Sequence, residues 1–264
     1  MKLLNSLKFL QILLMSNFVA SQTDYCSTSL CSGWKHIACE NSGDFDPFCP
    51  PDRKILDLYD EHKQLIVDEH NKLRNKIASG QEIGFNSASM MSTMVWNDEL
   101  AKLAELNAKT CRSEHDNCRN TDKFHFAGQN IALSQSSPDF GTLDAIIINA
   151  IQNWYAEAKI ATQSEIDSYF SSDRMIGHFT QIVNDLSNEV GCAVVQYTEN
   201  DGWKSSLFVC DYARTNIIGF PVYVSGDPAS QCNLGINPNY EALCSINEVV
   251  DPNSIGRNAQ VPDV

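Results

Sequence analysis

Cysteine is the residue type in this sequence whose number and spacing bear most directly on chemistry. Ten cysteines follow residue 21, and no Cys-x-x-Cys pair occurs among them. A zinc cluster favours such close thiolate pairs, whereas an even set of dispersed cysteines in an exported chain favours disulfides. The sequence therefore predicts a disulfide framework, without a free thiol nucleophile, built from Cys26, Cys31, Cys39, Cys49, Cys111, Cys118, Cys192, Cys210, Cys232 and Cys244.

Two of the pairings follow from position along the chain. A turn at Asp201 between two predicted strands would place Cys192 directly opposite Cys210, where the Cβ separation suits a disulfide. Cys232 and Cys244 close a short loop by proximity. Spacing alone does not choose among the pairings open to the first six cysteines.

Hydrolytic motifs are missing from the sequence. It contains neither a His-Glu-x-x-His helix motif nor a Gly-x-Ser-x-Gly elbow, the two patterns that would indicate a zinc peptidase or a serine hydrolase. The composition also argues against nucleic acid as a partner, because 33 acidic residues outnumber 19 basic ones and give a net charge of -14.

The amino terminus is typical of a signal peptide. Lys2 and Lys8 supply positive charge next to an apolar stretch that is too short to span a membrane. Ser21 suits a cleavage site. We therefore expect residues 1–21 to be removed and the mature chain to be secreted, extracellular and without a membrane span. Loss of the two lysines would bring the net charge to about -16.

The elements that must position these residues alternate between helical and extended patterns. Residues 22–57 form a cysteine-rich arm without apolar periodicity, and residues 225–264 form an extension with a small disulfide loop and a flexible tail. Helix and strand periodicities between them predict an α+β fold. Helices are expected from Leu58 to Gly80, after Asn97 and over 143–159, and strands over 190–197, 205–212 and 220–224.

Four short motifs give the chain a resemblance to the antigen-5 branch of the CAP superfamily of cysteine-rich secretory proteins. They are His70-Asn71-Lys72-Leu73-Arg74, Gly128-Gln129-Asn130-Ile131, the run from Gly177 to Val183, and the run from Phe208 to Tyr212. The resemblance implies a three-layer α-β-α sandwich over residues 58–224. It also implies the pairs Cys26 with Cys39, Cys31 with Cys118, and Cys49 with Cys111. Asn184 and Asp211 depart from the family pattern, which has Trp and Asn there.

The resemblance further implies a cleft lined by His115, Gln129, Glu157 and His178. Gln129 stands where many relatives have Glu, so the cleft holds one carboxylate fewer. No cofactor is required, but a divalent metal such as zinc could be held through His115 and His178. In the alternative interpretation, the histidines and Glu157 only hydrogen-bond one another.

Three functions remain open at this stage. The resemblance favours a secreted, non-enzymatic binding protein for a lipid or sterol ligand or an extracellular protein partner. The apolar face of the third helix is compatible with such a groove, although the same face would serve equally well as core. A metal-assisted hydrolase using His115, Glu157 and His178 is the second hypothesis. A pure interaction module, or allergen-like secretion, is the third.

Overall fold

The computed structural model describes residues 23–170 and 173–255 of the chain. The predicted signal peptide and the end of the tail, residues 256–264, lie outside the described residues. Within the described part, none of the helices combines the length and apolar character that a membrane span requires. The helices are α1 (Asp60–Ala78), α2 (Asp98–Ala108), α3 (Leu143–Tyr155), α4 (Gln163–Asp167) and α5 (Gly177–Ile182), with a 3₁₀ turn over Ala156–Lys159.

A twisted sheet forms the middle layer. Its strands lie in the order β1-β4-β5-β3, and β2 pairs in parallel with β4. A separate hairpin, β6 with β7, packs beside α1, where the Ala242 backbone N–H donates to the side chain of Asn75. The strands are β1 (Lys54–Leu56), β2 (Val95–Trp96), β3 (Gly128–Ser136), β4 (Glu189–Thr198), β5 (Lys204–Tyr212), β6 (Ile236–Asn237) and β7 (Tyr240–Cys244).

The two faces of this sheet bury different helices. Side chains alternate along a strand, so Val194 and Phe208 face the core of α1, α3 and α5, whereas Val195 and Leu207 face α2 and the arm. α2 lies so close that a Cβ on Gly191 would overlap its backbone. The predicted three-layer α-β-α architecture is therefore confirmed.

The helix and hairpin predictions agree with the structure to within a few residues. Asn97 caps α2 by accepting a hydrogen bond from the Leu100 backbone N–H at 2.9 Å, as its position predicts. The third helix ends as α-helix at Tyr155 and continues as 3₁₀ turn to Lys159. Residues 54–56, expected within the arm, add β1 to the central sheet by pairing with β4.

The predicted strand over 220–224 is wrong. The segment bends at Val222 and Tyr223, and its backbone bonds to α4 and to loops: Val222 donates to Ile166 and accepts from Asp185, and Phe220 accepts from Tyr169. No strand lies beside it in the described chain, and Pro221 removes one of its donors. Conversely, β3 was not predicted, because its many polar residues leave no clear alternation of apolar and polar side chains.

Five disulfides hold the described chain together, and they are the expected pairs. Cys192 and Cys210 are directly opposed in the β4–β5 register. Two of the other bridges fasten the arm to the segment that follows α2. The full set is Cys26–Cys39, Cys31–Cys118, Cys49–Cys111, Cys192–Cys210 and Cys232–Cys244.

Arg74 is a fully buried cation on α1 that binds main-chain oxygens. Its guanidinium donates to the carbonyls of Ser92, Ile182 and Asn184 over distances of 2.7 to 3.1 Å, and also to the Ser92 hydroxyl. One side chain thus joins α1 to the end of α5 and to the loop before β2. The planar fork suits several acceptors at once, which an ammonium group does not.

We predict that Arg74→Met destabilises the protein by about 3 kcal/mol or more, because it leaves several buried carbonyls without donors. Arg74→Lys should recover only part of this loss. Urea unfolding measures both, with Lys72→Met on the exposed side of the same helix as the control. An unchanged urea midpoint in Arg74→Met would contradict the role given to this side chain.

His70 is a second buried group of α1. Its Nδ1 donates to the Ile66 carbonyl at 2.7 Å, so its Nε2 accepts from the Tyr212 hydroxyl at 2.9 Å. Burial, and secondarily the positive charge of Arg74, lowers the pKa of His70 to about 4. The native protein therefore keeps this ring neutral where the unfolded chain would protonate it.

This difference predicts acid sensitivity. Between about pH 6.5 and pH 4 the unfolded chain binds the extra proton, so the stability present above pH 6.5 is lost on acidification, by roughly 3 kcal/mol at most. Unfolding free energies measured across this range should depend less on pH in His70→Gln than in the wild type. The exposed control His125→Gln should retain the wild-type dependence, and an equal slope in all three proteins would refute the assignment.

Candidate functional site

The predicted cleft residues meet at the start of the edge strand β3. His115, Gln129 and His178 line one cavity of about 310 Å³, and Glu157 lies behind His178. They come from separate parts of the chain: the loop after α2, β3, the start of α5 and the 3₁₀ turn after α3. The structure therefore brings all four together, and it places the site where the sheet ends.

Glu157 holds His178 through both carboxylate oxygens. Oε1 lies 2.6 Å from His178 Nδ1, and Oε2 accepts the backbone N–H groups of His178 and Phe179 at 2.9 and 3.0 Å. A carboxylate that contacts Nδ1 fixes the proton on that nitrogen and the lone pair on Nε2. The Trp154 ring stacks against the imidazole, with centroids 6.1 Å apart. The ring of His178 is thus held in one orientation.

Gln129 holds His115 in a similar way. Its Oε1 lies 2.8 Å from His115 Nδ1, and its Nε2 donates to Asp116 and Asp211, each at 2.9 Å. Both aspartate oxygens accept in this arrangement, so they fix the amide nitrogen on their side and leave the amide oxygen for the histidine. The resemblance gives Gln129 only as a residue of the cleft, and the structure directs its amide oxygen at the His115 ring.

Both histidines line the same cavity. Among the described residues, no protein group hydrogen-bonds either Nε2 atom. Partial desolvation by the cavity wall, with Arg119 and His178 nearby, lowers the pKa of His115, although the residue stays exposed at the cavity mouth. His115 is accordingly neutral at neutral pH, the state in which histidine binds metals.

Asn130 is a site residue that belongs to one of the sequence motifs but had no predicted role. Next to Gln129 on the strand, it points to the opposite face, where its Nδ2 donates to the His178 carbonyl at 3.1 Å and to the Tyr212 hydroxyl at 3.3 Å. Consecutive strand residues thus position the two histidines from opposite faces. The Gln129-Asn130 pair of the motif was the signal in the sequence, because adjacent side chains on a strand point to opposite faces and so contact different groups.

Asp116, Arg119 and Asp211 form a charge cluster that the sequence patterns did not predict. The Arg119 guanidinium lies 3.0 Å from Asp116 and 3.9 Å from Asp211. Asp211 is fully buried, and burial raises the pKa of its carboxyl well above the usual range. Gln129, which by the resemblance stands where many relatives have Glu, and Asp211, which departs from the family pattern, are directly paired in the β3–β5 register.

The loop that carries His115 is anchored at both ends by disulfides. Cys111 and Cys118 flank the histidine, and their partners Cys49 and Cys31 lie in the arm. The segment contains no helix or strand of its own. Covalent attachment to the arm therefore replaces regular secondary structure in holding His115 at the cavity.

A second group of metal-type ligands lies in the arm. Ligand atoms of Cys31, His36 and Cys118 lie within 4.8 Å of one another. The two sulfurs are bonded to each other as a disulfide, which removes the thiolates. Both nitrogens of His36 are also occupied, by the Asn120 carbonyl and the Ala38 backbone N–H. The geometry fits a histidine packed beside a disulfide.

Comparison with known proteins gives the chain its relatives. Residues 67–212 match the CAP model, described as the cysteine-rich secretory protein family. Venom allergen-1 of Aedes albopictus is 41% identical over 88% of this chain and 91% of its own length. Antigen 5 like allergen Cul n 1 of Culicoides nubeculosus is 43% identical over 70% of this chain and 88% of its own.

A solved structure supports the same assignment. The crystal structure of NaASP2 with Zn²⁺ superposes with a TM-score of 0.62 at 26% identity, covering 75% of this chain and all of NaASP2. The sandwich and the five disulfides agree with the resemblance that the four sequence motifs carry. This chain belongs to the cysteine-rich secretory protein, or CAP, family and is similar to the insect venom allergen and antigen 5-like proteins.

Proposed function

We propose that this chain is a secreted, non-enzymatic binding protein whose cleft binds a divalent cation such as zinc through Nε2 of His115 and His178. The observation that carries the proposal is the paired orientation of the rings. Each donates Nδ1–H to a fixed acceptor, which leaves the lone pair on Nε2, and both residues line one shared cavity. The crystal structure of NaASP2 was solved with Zn²⁺, which supports a zinc site in this fold.

The chemistry of the donor set fits zinc. Neutral imidazole nitrogen is a preferred zinc ligand, and a hydrogen bond from the other ring nitrogen to a carboxylate or carbonyl oxygen is the usual support. Glu157 supplies that support for His178, and the Gln129 amide oxygen supplies it for His115. A bound cation would give the cleft a positive, Lewis-acidic point at which an anionic or carbonyl group of a ligand could bind.

The state of Glu157 favours binding over hydrolysis. A hydrolase needs a general base within reach of an attacking water. Glu157 instead accepts three hydrogen bonds from His178 and Phe179, which fixes the carboxylate as a support for the ring. In addition, none of the described cysteines is free to act as a nucleophile. These contacts support a non-enzymatic role for the cleft.

Export is supported by the disulfides together with the predicted signal peptide. Five disulfides form and persist in an oxidising compartment, as is usual for secreted proteins. The acidic composition adds solubility outside the cell and disfavours nucleic acid as a partner.

An apolar ligand would have to bind away from α3, the helix whose apolar face the sequence offered as a groove. The apolar face of α3 is buried in the main core, so it offers no groove. A cavity of about 510 Å³ lies instead between α1, β2 and the C-terminal extension, within the usual size range for small ligands. It supports a lipid or sterol ligand here as a second candidate, since its apolar lining comprises Val67, Met94, Val95, Trp96, Tyr240 and Ile246.

We predict that the purified, metal-free protein binds one zinc ion per chain in a calorimetric titration with zinc chloride. His115→Ala and His178→Ala should each weaken binding by about tenfold or more, because each removes a ligand. His125→Ala is the matched control, since this exposed histidine lies outside the cavity. Equal affinity in all four proteins, or no binding by the wild type, would refute the metal proposal.

The non-enzymatic part of the proposal has its own test. Incubation of the zinc-loaded protein with a peptide library should yield no products by mass spectrometry. Turnover that disappears in His178→Ala would instead establish the hydrolase hypothesis.

We also predict that the second cavity binds a fluorescent fatty acid probe, cis-parinaric acid, with a rise in the fluorescence of the probe. Ile246→Glu should weaken binding by about 1 kcal/mol, or roughly fivefold, because it places a charge in the apolar lining. Val249→Glu is the control, as Val249 is also exposed but does not line the cavity. If neither the probe nor zinc binds, an extracellular protein partner becomes the favoured ligand class.

A further inference from the structure

The orientation of the Gln129 amide decides which nitrogen of His115 is free. An amide has a donor end and an acceptor end, and the two are nearly isosteric. With Oε1 toward His115, the ring must donate from Nδ1 and keep its lone pair on Nε2. With the amide reversed, the ring would accept at Nδ1 and carry its proton on Nε2, which would block a cation there.

Two carboxylates prevent that reversal. The Nε2 of Gln129 has two hydrogens, and they go to Asp116 Oδ2 and Asp211 Oδ1, each at 2.9 Å. A reversed amide would direct its oxygen at Asp116 Oδ2 and Asp211 Oδ1, the two oxygens that accept from the amide in the observed arrangement, and this is repulsive. Asp116 lies beside His115 in the same loop, so it moves with the ring. Asp211 is fixed in the sheet, directly opposite Gln129 in the register.

The surroundings of Asp211 show how specific this contact is. The side chain is completely buried, Arg119 Nε lies 3.9 Å from Oδ1, and Oδ2 has no hydrogen-bond partner among the described residues. A buried carboxylate is costly unless its contacts compensate. The side chain of Asp211 accepts a hydrogen bond from the Gln129 amide, and this contact indicates the role of Asp211.

We propose that Asp211 is a positioning residue of the cleft: through the Gln129 amide it fixes His115 as the Nδ1–H tautomer with Nε2 free for a cation. The amide at position 129 and the carboxyl group at position 211 form one hydrogen-bonded unit. The consequence for metal binding rests on the proposed function. The effect on the tautomer of His115 does not.

The unit is symmetric enough to be exchanged. With Glu at 129 and Asn at 211, the carboxylate would accept from both His115 Nδ1–H and the new amide. Only Asp116 would still face an oxygen of residue 129, whereas Gln129→Glu alone would direct that oxygen at both aspartates. Gln129→Glu alone would place three carboxylates around the single cation Arg119. Asp211→Asn alone would give the Gln129 amide a neighbour that can both donate and accept, which removes one of the two contacts that oppose reversal and leaves only Asp116.

The test is a double-mutant cycle of Gln129→Glu, Asp211→Asn and the double exchange, carried out on the metal-free full chain. Asp201→Asn, the same change in an exposed turn, is the control. Nitrogen-15 spectra report the tautomer of His115, urea unfolding reports stability, and a zinc chloride titration reports affinity. Coupled residues show non-additive effects in such a cycle.

We expect the Nδ1–H tautomer in the wild type, in the control and in the double exchange, and a gain of the Nε2–H tautomer in Asp211→Asn. The double exchange should have a higher urea midpoint than Gln129→Glu. Zinc affinity should fall by about 10- to 100-fold in Asp211→Asn and return in the double exchange, as for other groups that orient metal ligands.

An unchanged His115 tautomer in Asp211→Asn, or a double exchange whose midpoint loss equals the sum of the single losses, would overturn the proposal. Absence of zinc binding in the wild type would refute the metal site, while the tautomer and unfolding measurements would still decide the role of Asp211.

Discussion

The alternation of side chains along the β3–β5 pair is the constraint on which the cleft depends. Gln129 and Asp211 face the α2 layer, whereas their neighbours Asn130 and Tyr212 face the layer of α1 and α5. The β3–β5 pair thereby provides hydrogen-bonding side chains on both faces of the sheet, at adjacent positions along the strands. A shift of the register by one residue would exchange the two sets, and it would separate His115 from the Gln129 amide and the His178 carbonyl from Asn130.

His178 and His115 are held in place by different kinds of contact. His178 begins a short helix packed against a core rich in aromatic side chains, and Glu157 ties it to the turn after α3. His115 has no such element and depends on disulfides to the arm and on the Gln129 amide. The arm is therefore part of the site's architecture, because it holds the loop that carries one of the two candidate ligands.

Buried polar groups recur wherever layers must be joined. Arg74 links α1 to the end of α5 and the loop before β2, and His70 links α1 to the sheet through Tyr212. In each case a buried polar group is balanced by hydrogen bonds that come from distant segments. Such networks specify one arrangement of the layers, since any other would leave buried groups without partners. They also give His70 and Arg74 a structural role, although residues of these types in a helix motif could instead indicate catalysis or ligand binding.

The sequence by itself determined that the cysteines pair, and it determined the main helices and the β4–β5 hairpin, because periodicity and turn residues are local signals. The pairings of the first six cysteines and the four cleft residues came from the family resemblance that the short motifs carry. The sequence did not indicate the β3 strand, it wrongly predicted a strand at 220–224, and it offered no partner for Gln129. Only the tertiary structure decided that Gln129 orients His115 and that the buried carboxylate of Asp211 stands directly behind it. Those facts depend on which strands are neighbours and on their register, and long-range pairing of this kind leaves no local pattern in the chain.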